Sequence, residues 1–511
     1  MSADQGYREV PNRGLATVAI MAATVMQVLD TTIANVALPS MSGDLGASPD
    51  TINWVLTSYI VAAAIVTPMT GWLSDKFGRK ELFLGSVVGF VFFSLLCGLA
   101  WSLETMVLFR LMQGVFGASI VPLSQLFLMD INPKERRGQA MAIWGAGIMV
   151  GPVVGPTLGG WLTDSYNWRW VFLINLPVGI VAFLGMAAFL PSIPKRIRGF
   201  DFFGFAMLSL GVGALQLMLD RGADADWFSS TEIWIETGLA VIGIWVFVVH
   251  TMSADRPFID AKIFLDRNFA AALVFIFIIG VILLAGMALM PPMLSAIFGY
   301  PTVTTGMVMA PRGVGTMISM LAVGRLMRIV DPRKLIFVGM LLTAYSFNMM
   351  AGFTPQMDAW PIVSSGIVQG LGLGLVFVPI STMAFSTLNP SGLPDATALF
   401  TLVRNIGSSI GISAFAVMLT QNTQINHSEL SAFINPFNPN LWIANPSAAM
   451  GDRTALSQVD GLVNIQAQMV SYVSDFKLMM LVTLSAIPLI FLLKSPKKSA
   501  GGAAAPAVHM D

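Results

Sequence analysis

"QGVFGASIVPLS" occupies Gln113–Ser124, and "QGLGLGLVFVPIS" occupies Gln369–Ser381. The second reads as the first with one residue inserted and a few apolar exchanges. Their surroundings repeat as well. Gly151 and Gly155 are matched by Gly407 and Gly411, and Ala140 and Ala142 by Ala396 and Ala398, all at an offset of 256 residues. "GWLSDKFGRK" (Gly71–Lys80) has a degenerate echo in "GRLMRIVDPRK" (Gly324–Lys334). The chain is therefore a tandem of two related units.

Composition says what kind of unit. The 511 residues are 55% hydrophobic and only 11% charged, whereas soluble domains carry about 25% charged residues. A bilayer-crossing helix needs about 20 mostly apolar residues. Fourteen segments qualify: 15–39, 52–72, 82–100, 104–127, 139–162, 170–190, 202–219, 232–251, 269–290, 304–327, 335–353, 360–385, 395–420 and 474–493. The repeated motifs pair segments 2, 4 and 5 with 10, 12 and 13. An all-α polytopic membrane protein follows, with two six-helix halves and two helices inserted between them. The expected divisions are 1–194, 195–268 and 269–493, then a disordered low-complexity tail at 494–511. A long outer loop, 421–473, is polar and rich in Asn, Pro and Gln. Parallel repeats of this kind are a transporter architecture, with the substrate site near mid-bilayer between the repeats.

The charges set the orientation. With both termini cytoplasmic, and with Arg325 and Lys477 at span ends counted with the adjoining segments, 21 of the 28 Lys and Arg fall on inner segments, 4 on outer segments and 3, Arg110, Arg312 and Arg404, within spans. A missed or extra span would scramble this inner bias. The polar N-terminal stretch lacks a small-residue cleavage site after the first apolar run, so that run reads as a retained span.

Several function classes drop out. The single cysteine, Cys97, excludes an internal disulfide, and His250, His427 and His509 are too scattered for a metal cluster. "QGLGLGL" lies inside an apolar span with no strand before it, so its glycines serve packing rather than phosphate binding. With no Walker motif and no catalytic constellation, the chain reads as a non-enzyme without cofactor, driven by a gradient. One proton charge yields about 2.3 kcal/mol per 100 mV, enough for roughly a 50-fold concentration ratio.

Five motifs in order give a family resemblance over nearly the whole chain: "LDTTIANVALP" (Leu29–Pro39), "GWLSDKFGRK", "RLMQGVFGA" (Arg110–Ala118), "GIMVGPVVGPTLGG" (Gly147–Gly160) and "WRWVFLINLPVG" (Trp168–Gly179). They resemble the major facilitator superfamily, in particular its 14-span drug:proton antiporter branch. "LQLMLDRGADADWFSS" (Leu215–Ser230) and "NPFNPN" (Asn435–Asn440) are similar to the EmrB-type multidrug efflux pumps of Gram-negative inner membranes. The resemblance implies export of hydrophobic, often weakly acidic compounds in exchange for protons. It also implies work with a periplasmic EmrA-type adaptor and a TolC-type outer-membrane channel. No nucleic-acid partner is implied. Two other readings stay open: a metabolite transporter not coupled to protons, and a non-transporting membrane scaffold.

The residues carry their own argument. Asp30 sits in an otherwise apolar stretch, where a charge costs about 2.5–3.5 kcal/mol at the centre of a span. Protonation or pairing with a cation relieves that cost. Asp30 lies nine residues before Pro39, and Arg110 six residues after Glu104; at 1.5 Å per residue the two share a depth to within about 5 Å. Spans 1 and 4 are neighbours in the resembled fold, so Asp30 is the candidate proton carrier and Arg110 the group that tunes it. Asn35, Gln113, Arg312 and Arg404 are candidate substrate contacts. The excess of buried arginines favours anionic or neutral cargo. The resemblance makes Gly71, Asp75, Arg79 and Asp130 a cytoplasmic gating latch. In the antiporter motif, Gly147, Gly151, Gly155 and Gly159 share one helix face while Pro152 and Pro156 bend the helix. Close packing accounts for that face, and a leak-tight interface between the halves is its functional reading.

Overall fold

The computed structural model describes residue 10 and residues 12–133, 136–195, 199–435 and 437–494. Outside them lie Arg8, Lys134, Arg196, Arg198, Pro436, Lys497, Lys498 and the expected disordered tail beyond residue 494. The described residues are helical and contain no strand. The long helices are α1 (Arg13–Leu45), α2 (Trp54–Phe77), α3 (Arg79–Gly98), α4 (Leu103–Asp130), α5 (Arg137–Ser165), α6 (Trp170–Phe189), α7 (Phe202–Arg221), α8 (Thr231–Ser253) and α9 (Arg267–Ala296). They continue with α10 (Thr302–Leu326), α11 (Pro332–Met350), α12 (Trp360–Ser386), α13 (Leu393–Ser431) and α14 (Arg453–Leu492). Among the described residues, 13 helices are long and apolar enough to cross a membrane. The expected segment that falls short is α11, which opens on Arg333 and Lys334 and carries Asn348 near its other end. It nevertheless packs along α12 and α14.

The face bearing Arg79, Lys80 and Arg333 is called inner below. At that face Gly78, at φ 98°, makes the turn between α2 and α3 that an L side chain resists. Lys80 Nζ donates to the carbonyls of Ala187 and Leu190, both at 2.8 Å, closing the inner end of α6. Helices α7 and α8 pack on each other, and α7 lies against both α2 and α13. The inserted pair thus touches both halves, with α8 mostly exposed on the periphery.

Two boundaries differ from expectation. Helix α1 does not stop at Pro39 but runs on to Leu45, where Gly46 at φ 61° ends it. A proline removes one backbone donor and is tolerated where the helix near its end can bend. The larger difference is the outer stretch 421–473, which is a helical hairpin rather than a loop. Helix α13 is 39 residues long, about 58 Å at 1.5 Å per residue, against a hydrocarbon core of about 30 Å. It therefore continues well past the membrane, and α14 returns beside it. Asn426 Nδ2 donates to Ser471 Oγ at 2.9 Å, and His427 meets Asp460 at 2.9 Å. Short helices Pro439–Ala444 and Pro446–Ala449 form the tip. Mutual packing lets polar sequence stay helical there, which a span-by-span hydropathy reading does not detect.

The halves meet tightly at the inner face. Residues Ile120–Asp130 of α4 and Leu393–Leu402 of α13 are buried round the whole helix circumference. The start of α13 packs on the inner ends of α2 and α4, and the inner part of α5 on α10 and α12. Trp144 of α5 stacks on Phe377 of α12 with centroids 5.9 Å apart. The inner side is closed.

Candidate functional site

The charges expected at one depth are in contact. Arg110 Nη1 donates to Asp30 Oδ2 at 2.6 Å and to Gln113 Oε1 at 2.8 Å, and its Nε donates to the Val55 carbonyl at 3.1 Å. Asp30 Oδ1 accepts from Gln113 Nε2 at 3.0 Å and from Asn175 Nδ2 at 2.7 Å. The side chains of Asp30 and Arg110 are both 0% exposed. The Tyr59 ring lies 4.4 Å from the guanidinium carbon, and Tyr59 accepts from Gln27 at 2.9 Å. Every contact on the Asp30 carboxyl comes from a donor, which is the arrangement a carboxylate needs once water is gone. Removing one partner of such a pair strands the other and costs about 3–5 kcal/mol.

The other expected contacts spread out. Asn35 is exposed, five residues further along α1 and so turned about 140° from Asp30. Arg404 is half-buried on α13, with Nη2 donating to Asn405 at 3.3 Å. Arg312 of α10 is buried and lines two small cavities at the junction of the halves. One is bounded by Met149, Pro152, Val153, Met287 and Leu373 among others, the second by Met290, Val308, Met350, Gly366 and Gln369 among others. Each has room for about one water molecule. The site is closed in this state.

At the inner face Arg79 pairs with Asp130, joining the start of α3 to the end of α4. Asp75 is buried nearby on α2. Gly71 abuts the other half: a Cβ there would overlap the Asp395 carboxyl of α13 and lie 3.1 Å from its backbone nitrogen. In the second copy, Arg328 donates to Gln139 of α5 at 3.2 Å.

The antiporter-motif glycines face a different neighbour from the one expected. Cβ atoms on Gly147, Gly151, Gly155 and Gly159 would meet Met21, Val28, Thr32 and Ile33, all on α1 of the same half. Val153 and Thr157 make the contact between halves, fitting against Gly313 and Gly306 of α10. Side chains four apart share a face, so the stripe that binds α1 leaves another face for α10. Pro152 lines the first cavity, and α5 breaks between Ile148 and Val150, just ahead of it.

Four residues escaped sequence reasoning. Asn175 holds Asp30 and also donates to Ser94 Oγ at 2.9 Å; its signal was a lone amide in the apolar run of "FLINLPVG". Tyr59 covers Arg110, Asp395 meets Gly71, and Gln369 repeats Gln113 at the offset of 256.

Comparison with known proteins gives the family and the fold. The family model described as Major Facilitator Superfamily matches residues 20–412. The multidrug export protein EmrB of Escherichia coli (strain K12) is 35% identical over 498 residues, 96% of either chain. The fatty acid resistance protein FarB of Neisseria gonorrhoeae is 32% identical over 492 residues, 95% of this chain and 97% of its own. The crystal structure of the human organic anion transporter MFSD10 has the same fold, with a TM-score of 0.60 at 15% identity over 93% of this chain and 99% of that one.

Proposed function

The chain belongs to the major facilitator superfamily, and on that premise we propose that it is a multidrug exporter driven by proton antiport. Its cargo is hydrophobic and often weakly acidic, moved outward across a bacterial inner membrane with both termini cytoplasmic. The observation that carries the reading is the fully buried Asp30–Arg110 pair. Such a pair is a two-state element. Protonating Asp30 removes the charge that holds Arg110 and loosens the bonds from Gln113 and Asn175. Asp30 is fully buried in the closed state described here, so in this reading loading and release of the proton require the halves to part.

In this mechanism the latch couples the pair to the inner gate. Arg79 and Asp130 hold α3 to α4, with Asp75 beside them, and Gly71 lets α13 seat its Asp395 against α2. Arg312, and not Arg404, lines the cavities where cargo passes. It presents a cation to an anionic headgroup, with Gln113 at the edge of the proton site. The names of the relatives support multidrug and fatty-acid cargo. The outer hairpin supports the tripartite reading, because its tip exposes Phe433, Phe437, Ile443 and Met450 to a periplasmic adaptor that leads to an outer-membrane channel.

The test uses inverted vesicles holding a preformed pH gradient, read with a quenching dye and compared with empty vesicles. A hydrophobic weak acid should dissipate the gradient faster in wild-type vesicles than in empty ones, and Asp30→Asn should remove that excess while cargo still binds. Equal exchange by the variant would make Asp30 structural and the antiport reading wrong.

A further inference from the structure

A second carboxyl is buried in the other half, in surroundings opposite to those of Asp30. Asp475 of α14 is 1% exposed, and among the described residues neither of its oxygens has a hydrogen-bond partner. No other carboxyl among them leaves both oxygens buried in this way. Ser471, one turn before it, is satisfied: it accepts from Asn426 of α13 at 2.9 Å and donates to the Ala467 carbonyl at 2.8 Å. Tyr472 and Met479, which share the Asp475 face, belong with Phe476 to an apolar cluster that includes Met293 of α9 and Phe347 of α11. Phe476 meets Phe353 edge-on at 6.0 Å, and Phe353 follows the outer end of α11. Asp475 therefore stands at the outer edge of the second half, where the outer hairpin joins it.

Among the described residues no cation is placed to hold it. Helix α14 packs on α9, α11 and α13. The charged residues of α9 and α11 are Arg267, Arg333 and Lys334, all at the inner ends. On α13, Asp395 is also at the inner end, and Arg404 lies 22 residues before Asn426, about 33 Å along the helix. Further out, His427 is engaged by Asp460, and Glu429 is exposed. On α14 itself Lys477 is exposed, Arg453 lies at the far end of the arm, and the phenol of Tyr472 is the titratable group beside Asp475. A charged carboxylate with no donor in apolar surroundings is the costly case, and such a group neutralises instead. Asp30 has donors on both oxygens; Asp475 has none.

We propose that Asp475 is a second proton-binding site, loaded from the outer aqueous side, whose proton holds the root of α14 docked on α9, α11 and α13. A proton from water adds to a carboxylate oxygen as the root docks. It returns to water as the root parts and the carboxylate is hydrated. The docked state keeps a proton that the released state gives up, so low pH favours docking and high pH favours release. One exchanged proton changes that ratio by up to tenfold per pH unit. The outer hairpin thus reads the acidity of the outer side through how firmly its root is anchored. The site is separate from the Asp30–Arg110 pair. It does not rest on the export reading, because proton occupancy and docking are both read without cargo.

The test uses the full chain in an ester-free detergent, so that no lipid carbonyl hides the signal. In infrared difference spectra at mildly acid pH, wild type minus Asp475→Asn should show the carbonyl stretch of one protonated carboxyl. That band should shift in heavy water and disappear reversibly as the pH is raised. Asp475→Glu should move the band rather than remove it, and Asp30→Asn should leave it in place. The second readout is amide hydrogen exchange over residues 469–479. Comparing wild type with Asp475→Asn at each pH cancels the intrinsic pH dependence of exchange. Relative to that neutral variant, wild-type protection should fall by up to tenfold per pH unit as the pH rises. Thermal unfolding checks that the variants fold. The proposal is overturned if the band is absent, or if the two chains keep the same relative protection at every pH. It is also overturned if Asp475→Asn stops the proton exchange of wild type in inverted vesicles, since Asp475 would then belong to the coupling site.

Discussion

The two halves share a frame and differ in charge. In the first, Gly151 and Gly155 of α5 lie on Val28 and Thr32 of α1; in the second, Gly407 and Gly411 of α13 lie on Phe277 and Val281 of α9. Both halves need backbones in contact, because helices in lipid gain from close packing and little from apolar burial. Among the described residues the fully buried pair Asp30–Arg110 belongs to the first half, and Gly366 stands at the offset of 256 from Arg110 in the second. Packing is duplicated because each half must hold itself together. A buried ion pair that served proton coupling, as proposed for Asp30 and Arg110, would need only one copy.

The sharpest way to break this comparison is at the pair itself. Arg110→Gln should destabilise the chain by about 3–5 kcal/mol by stranding Asp30. The double variant Asp30→Asn, Arg110→Gln should recover most of that loss in thermal unfolding yet remain uncoupled from protons. Recovery of coupling together with stability would make the pair structural and place the proton site elsewhere.

Next in size are the shared glycines. A Cβ on Gly411 would come 2.2 Å from the Val281 carbonyl oxygen and 2.6 Å from its Cα, backbone that cannot step aside. On Gly151 the nearest atom is a Val28 methyl at 2.6 Å, which can rotate, with backbone no nearer than 3.1 Å. Overpacking costs about 1–3 kcal/mol, so Gly411→Ala should sit near the top of that range and Gly151→Ala near the bottom. Unfolding in detergent that ranked them the other way would mean the halves are framed differently.

Much of this was legible in the sequence because bilayer constraints are coarse and additive. Twenty apolar residues make a span, cations mark the inner side, and an offset of 256 exposes the halves. Asp30 and Arg110 were legible because each is costly and their depths agree. Partners that are merely polar were not. Asn175 and Tyr59 incur no such cost in a span, and only the crossing of α6 and α2 with α1 and α4 brings them to the pair. Which neighbour the glycine stripe faces depends on helix rotation, which the spacing leaves undetermined. The outer hairpin was missed because a polar helix has no apolar period until its partner is known.

A smaller effect is expected at the inner gate. Gly71→Ala forces the Asp395 carboxyl aside and opposes the seating of α13 on α2. A penalty of about 1.4 kcal/mol shifts the equilibrium roughly tenfold toward the inward-open state. Ser381→Cys, placed in a Cys97→Ser background, puts a thiol in the buried inner part of α12. Its labelling from the inner side should rise about tenfold with Gly71→Ala. Unchanged labelling would mean that Gly71 does not control closure.

The smallest effect belongs to the region least like either repeat. His427 and Asp460 are 34% and 68% exposed at their side chains and bridge the two arms of the outer hairpin. Exposed pairs are worth about 0–1 kcal/mol, so His427→Ala should leave unfolding and proton exchange nearly unchanged. Asn426→Leu, which breaks the half-buried bond to Ser471, should cost more, about 1 kcal/mol. If the arms serve an external partner, both variants should keep exchange in vesicles while deletion of 421–473 removes capture of a periplasmic adaptor. If that deletion instead abolishes exchange in vesicles, where no adaptor is present, the hairpin belongs to the transport cycle. The asymmetry between the halves would then extend beyond their charges to the way the second half moves.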